Sequence, residues 1–84
     1  SLEVGIRRIT DAQISIPIGA VMRSAAGLTV FKIARGIAQR TEVEVAQITG
    51  GRAVLVAGSL NIADAVVYAG LSRLADGDKI KVLP

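Results

Sequence analysis

The chain has no cysteine, no histidine and no tryptophan, and its only aromatic residues are Phe31 and Tyr68. Each absence removes a class of chemistry. Without cysteine there are no disulfides and no thiol nucleophile. Without histidine the commonest general base and the commonest metal ligand are gone as well. Lack of cysteine suits a reducing or an oxidising compartment equally. Long apolar runs are missing too. The longest uncharged stretches, Ala12 to Met22 and Ala53 to Ala63, have 11 residues each, against the roughly 18 to 20 that a bilayer span needs. At the amino end Arg7, Arg8 and Asp11 interrupt the place where a secretory apolar region would run. The chain opens on Ser1 without a Met, so an excised fragment is expected, and any targeting signal would have been lost with the excision.

What is present is aliphatic. Hydrophobic residues make up 51% of the 84 and the mean hydropathy is +0.54, which excludes a disordered or highly charged linker. The core must therefore come from Val, Ile, Leu and Ala. A chain this short forms one small domain, and it buries only about 60% of the surface its unfolded form exposes.

Periodicity points to strands. Apolar and polar residues alternate through Ile37 to Val45, with Arg40, Glu42 and Glu44 at even positions. Phe31 and Ile33 share a face opposite Lys32, and Ile80 and Val82 a face opposite Lys79 and Lys81. Ala53 to Ala57 and Ala65 to Ala69 are apolar on both faces, which predicts central strands covered on both sides. Glycine marks the turns, at Ala25-Ala26-Gly27, Ala34-Arg35-Gly36, Gly50-Gly51 and Asp76-Gly77-Asp78, and short Gly-containing links between alternating segments predict hairpins. Pro17, which lacks an N–H, should end an Ile14 to Ile16 strand, and Ile18 to Val21 suit one helical turn after it. The expected fold is all-β: a small β-roll or folded-over antiparallel sheet with at most one short helical turn.

The pattern of acids and hydroxyls offers no catalytic or cofactor-binding constellation. Asp76 and Asp78 flank a glycine in a water-exposed turn, where nothing splits their acidities. The serines lack a base, and Gly50-Gly51-Arg52 fits neither a phosphate loop nor a dinucleotide fingerprint. No metal-ligand set is present, Met22 being the one sulfur.

Net charge is +3 and the isoelectric point about 10.0. Residues 1–40 carry six basic against two acidic side chains, a balance of +4; residues 41–84 carry four against five, or −1. Such asymmetry suits docking on a charged partner. Arg23, Arg35, Arg52 and Arg73 lie at or beside predicted turns, where side chains reach out, and are the expected partner-binding residues. A small basic β-barrel binding nucleic acid is the alternative. It is disfavoured because Phe31 and Tyr68 sit inside apolar strands rather than on a stacking platform, and no ribonucleoprotein motif is present.

The carboxyl half, Val66-Val67-Tyr68-Ala69-Gly70-Leu71 through Leu74-Ala75-Asp76-Gly77-Asp78-Lys79-Ile80-Lys81-Val82, resembles the closing segment of periplasmic adaptor proteins. These are also called membrane fusion proteins (HlyD-like adaptors), and they end in a pattern GL-x-x-GD-x-VV-x-x-G-x-x-x-L-x-DG-x-x-V. Ile16-Pro17 with Ala20-Val21 is similar to the family's VP-x-x-AV opening. Thr29-Val30-Phe31-Lys32-Ile33 and Ala38 to Val45 resemble its next two strands, so the resemblance covers about residues 14 to 83. Two glycines of the pattern are replaced, by Ser59 and Ala63, while Asp64 is kept; Asn61 is then expected to take the left-handed position of that turn.

The resemblance implies the membrane-proximal domain of a multidrug-efflux adaptor, a non-enzymatic docking and assembly module without cofactor. Residues 13–84 would form that domain, and residues 1–12 the tail of a preceding β-barrel domain or a remnant of excision. The implied partners are an inner-membrane efflux transporter, often of the resistance-nodulation-division (RND) class, and neighbouring adaptor protomers, with an outer-membrane channel reached through the full-length adaptor. The implied location is the bacterial periplasm, at the inner membrane. The family completes this domain with a segment from the far amino end, so the isolated piece is expected to self-associate by edge pairing or by exchanging Leu2 to Ile16.

Overall fold

The computed structural model describes residues 2–10, 13–25, 27–56, 58–61 and 63–82. Nine strands follow one another: β1 (Leu2–Arg8), β2 (Ser15–Pro17), β3 (Met22–Ser24), β4 (Gly27–Ala34), β5 (Ile37–Glu42), β6 (Val45–Thr49), β7 (Arg52–Leu55), β8 (Ala65–Ala69) and β9 (Ile80–Val82). The protein is all-β. A 3-10 turn at Ile18–Ala20 follows Pro17 as expected, and a second, not foreseen from sequence, lies at Leu71–Arg73.

Two sheets form. The larger runs β3-β4-β8-β1-β9, with β5 added on β4; the smaller runs β2-β7-β6. The larger sheet rolls up. The start of β5 meets the lead-in to β9 through an Ile37–Lys79 bridge. Backbone hydrogen bonds from Ile80 N–H to Gly36 O (3.0 Å), from Ala38 N–H to Asp78 O (2.9 Å) and from Gly77 N–H to Ala38 O (2.8 Å) complete this seam. Each strand of the roll contributes to the inside. Val4, Phe31, Ala38 and Val67 are fully buried there with Leu74, and Ile33 and Ile80 pack against them. The roll is thus filled by aliphatic residues around a single phenylalanine.

The smaller sheet covers the roll from outside. Ile16, Ala53 and Leu55 on its inner face pack with Ile9, Ile14, Ala20, Leu60, Val30 and Val66. Because neighbours along a strand point to opposite faces, Val30 and Val66 face this outer layer while Phe31 and Val67 face the roll interior. That is why β4 and β8 are apolar on both sides. The two-faced reading of Ala65 to Ala69 therefore holds over Ala65, Val66 and Val67, all buried, but ends at Tyr68, which is 40% exposed.

Two hairpins confirm the turn reading. Thr49 pairs with Arg52 across Gly50-Gly51, whose φ values are 57° and 75°. Both positions need the left-handed region, where glycine carries no penalty. Ala34 pairs with Ile37 across Arg35-Gly36, and there Arg35 adopts φ 55°. Pro17 ends β2 at the edge of its sheet, where its missing N–H breaks no ladder.

The single strand expected over Ile37 to Val45 is interrupted after Glu42, and the chain resumes as β6 in the other sheet. Val43 N–H still donates to Leu28 O, whereas Glu44 O already accepts from Val56 N–H in the smaller sheet. The alternation persists through this crossing, so pattern alone does not reveal it. Leu2–Arg8, set apart in the sequence reading, runs between β8 and β9. It pairs antiparallel with β8 over Gly5 to Arg8 and parallel with β9 over Leu2 to Val4.

Candidate functional site

Of the four arginines expected to carry partner contact, all are exposed, and the fold scatters them. Arg23 is on β3, Arg35 on the β4–β5 hairpin and Arg73 in the second 3-10 turn. Arg52 begins β7 and is held in place: its Nε donates to Ser15 Oγ at 2.8 Å and its Nη2 to Ser15 O at 2.7 Å. None of the other three joins it.

Arg52 is instead brought together with Arg7 and Arg8, which the sequence reading had not singled out. All three line a groove of about 570 Å³, with Ile6, Ile9, Thr10, Gln13, Ser15 and Ile16, and no acidic residue is among the described lining. The three guanidiniums are positioned by neutral groups. Arg8 Nη1 donates to Ala63 O at 3.0 Å. Arg7 stands over the Tyr68 ring, 5.2 Å from its centroid, a distance at which the ring face attracts a cation. The ring itself lies across Gly5, where a Cβ would come within 3.0 Å of Tyr68 Cζ. Gly5 therefore makes room for the tyrosine, and the tyrosine positions Arg7. The only hint in sequence was the Arg7-Arg8 pair, and its location depends on β1 entering the sheet.

The described aspartates are engaged in structure. Asp76 Oδ1 accepts from Arg40 N–H and Asp78 Oδ2 from Ala75 N–H, both at 2.8 Å, which makes these carboxylates turn-builders. Asp64 Oδ2 accepts from Asn61 N–H at 2.8 Å, and Asp64 N–H donates back to Asn61 O at 3.1 Å. The left-handed residue of that turn is Ala63, φ 78°, and not Asn61. The backbone shape usually supplied by glycine is kept, and alanine bears the strain. Phe31 is fully buried and contributes no stacking surface. Tyr68 is the exposed aromatic, a correction to its expected place in the core.

Apolar surface also remains outside. Among the described residues strand β6 has one neighbour, β7, and Ile48 on it is 63% exposed. No helix of the described residues is long and apolar enough to cross a membrane.

A rolled sheet with a cationic groove outside and, among the described residues, one open strand edge defines a small β-roll domain. Residues 13–82 match the family described as YknX, C-terminal permuted SH3-like domain. The chain belongs to this family, a C-terminal domain of membrane-fusion, HlyD-type adaptors, proteins that are periplasmic and membrane-associated and whose domains of this type are typically non-enzymatic. No curated protein matches the chain.

Proposed function

We propose that this domain is the docking and assembly module of a periplasmic efflux adaptor, contacting an inner-membrane transporter and neighbouring adaptor protomers. The full-length protein reaches on to an outer-membrane channel. The observation that carries the reading is the division of the molecule between an inward-packed roll and an outer surface whose groove arginines meet no acidic side chain, and whose strand β6 has one open edge, among the described residues, in a chain of the adaptor family. Exposed Arg23, Arg35 and Arg73 act as rim charges that speed encounter with an acidic partner surface. Strand β6, Val45–Thr49, is uncharged and exposed along most of its length, so a second copy can pair along it without repulsion.

Nucleic acid has no place in this reading. Phe31 is inside, and the Tyr68 ring is held between Gly5 and Arg7. Any affinity for an oligonucleotide should be non-specific, on the order of 10⁻⁴ M or weaker at physiological salt.

The test is co-purification of the transporter with the full-length adaptor, with and without this domain. Loss of the complex on deletion, and slower assembly when Arg23 and Arg73 are changed to Glu, support docking. An undiminished complex after deletion refutes it.

A further inference from the structure

At the Glu42 end of β5, beyond the seam with β9, a pocket of about 370 Å³ is lined by Ser24, Ala25, Thr29, Arg40, Glu42 and Asp76. Sheet register places most of them. Thr29 on β4 pairs with Glu42 on β5, and Phe31 pairs with Arg40. Residues paired across neighbouring strands point to one face, here the face that Phe31 turns to the roll interior. Asp76 comes from the turn before β9, and its Oδ1 accepts from Arg40 N–H at 2.8 Å, which fixes the carboxylate at the rim and leaves its second oxygen for another donor. The Arg40 guanidinium lies over the Phe31 ring, 5.5 Å from its centroid. Ser24 Oγ is committed to Gly27 O at 3.1 Å. Thr29 is 2% exposed, and its Oγ1 has no hydrogen-bond partner among the described residues. A buried hydroxyl without a partner is costly and rare, and this one belongs to the wall of a pocket that also holds two carboxylates. Ala26 falls outside the described residues; as an alanine it adds no charge.

We propose that this pocket takes the ammonium group of a lysine side chain from a partner protein, its N–H donors shared among the Glu42 carboxylate, the second oxygen of Asp76 and Thr29 Oγ1, with its methylene stem against Ala25. The proposal rests on the docking reading and names a residue type that the partner presents. Charge selects the class of ligand. Two carboxylates against one guanidinium give the lining a balance of −1, which refuses an anion and suits one positive charge. An ammonium brings three donors and no acceptor, and a threonine hydroxyl can take one of its hydrogens while giving its own to the carboxylate opposite. A divalent cation fits less well, because calcium takes roughly six to eight oxygens and the Arg40 charge would stand beside it. A guanidinium carries more donors, in a rigid plane, than the pocket has acceptors to meet.

The probe is Nα-acetyl-lysine N-methylamide, titrated into the protein and followed by amide and methyl chemical shifts, with its Nζ-acetylated form, the matching arginine compound and calcium chloride as parallel arms. The lysine compound should bind and move the Thr29 methyl and the amides of Arg40, Glu42 and Asp76. The acetylated form keeps the stem, loses the charge and should bind at least about tenfold more weakly. Glu42→Gln, at an exposed position, should weaken binding by about threefold or more. Thr29→Val should weaken it by about as much while raising the urea midpoint, an opposition that a purely structural hydroxyl does not produce. Should the valine variant fold poorly, Glu42→Gln decides the matter. In the purified complex of full-length adaptor and transporter, zero-length carbodiimide coupling should join Glu42 to a partner's lysine, a product identified by mass spectrometry and absent from Glu42→Gln.

Shifts that map elsewhere, equal binding of the acetylated form, or binding by a folded Thr29→Val protein that matches the parent overturn the proposal. Calcium that moves the same resonances and displaces the lysine compound overturns it in favour of a metal site, and tighter binding of the arginine compound overturns the choice of lysine. Binding of the small compound with no Glu42 cross-link in the complex overturns the assignment to a partner and leaves a site for a free amine. The docking reading is separable: if deleting the domain breaks the transporter complex while Glu42→Gln and Thr29→Val leave it intact, docking stands and the pocket is not its site.

Discussion

Strands β8 and β6 are each five residues long and mostly uncharged, yet they occupy opposite conditions. Ala65, Val66 and Val67 of β8 are buried, with β4 on one side and β1 on the other. Among the described residues strand β6 has only β7 beside it, none of its own residues is fully buried, and Ile48 is turned mostly to solvent. Position in the sheet, more than hydrophobicity, decides which apolar strand holds the fold and which is left for contact. In a domain this small, net stability is only about 5 to 15 kcal/mol, so an apolar residue left outside is a contribution withheld from folding.

Introducing the same charge into both strands tests that contrast. Val67→Asp places a carboxylate among Val4, Phe31 and Leu74 and should cost more than about 4 kcal/mol, enough to unfold much of the population in a urea titration. A Val67→Asp protein that keeps its midpoint would show that the roll interior is wet and the comparison wrong.

Thr29, in β4, measures how dry the doubly covered strands are. It is 2% exposed, and its Oγ1 has no hydrogen-bond partner among the described residues. Thr29→Val keeps the shape and removes the stranded hydroxyl, so it should raise stability by about 1 kcal/mol, seen as a higher urea midpoint with unchanged slope. A loss of stability would mean that water reaches that oxygen.

The turn that feeds β8 should respond next. Ala63 sits at φ 78°, and Ala63→Gly should gain roughly 0.5 to 1 kcal/mol by removing the left-handed strain, partly offset by the entropy of glycine in the unfolded chain. A thermal melt unchanged or lowered would show that the turn tolerates alanine without strain.

The smallest change in stability belongs to the partner of the first experiment. Ile48→Asp on β6 should stay within about 0.5 kcal/mol of the parent, while sedimentation over a concentration series should show weaker self-association. A stability loss comparable to that of Val67→Asp would erase the distinction between the two strands.

Much of this was legible in the sequence because it is local. Gly50-Gly51 requires left-handed backbone at both turn positions. Pro17 forbids a ladder hydrogen bond, and the alternation around Phe31 fixes which face turns inward. Three features were not legible because they depend on what lies across the sheet. The crossing at Val43–Glu44 keeps the period of two on both sides. Tyr68 continues the apolar pattern of β8 yet faces outward, because Gly5 opposite it leaves room for the ring. The groove needs Arg52, which its turn made visible, together with Arg7 and Arg8, which only the placement of β1 brings near. Asn61 had the side chain expected of a left-handed residue, but the Asp64 carboxylate binds its N–H and passes that conformation to Ala63.

The parallel pairing of Leu2 with Ile80 and of Val4 with Val82 has a consequence in time. Few contacts in so short a chain join residues further apart, and such long-range closure is slow because the intervening chain must be ordered first. During synthesis at about 5 to 20 residues per second, β1 emerges seconds before β8 or β9 exists to flank it. Until the last strand leaves the ribosome, both edges of the strand that will stand between them are open to any other chain. Fidelity of folding here therefore depends on how long the first strand waits for the last.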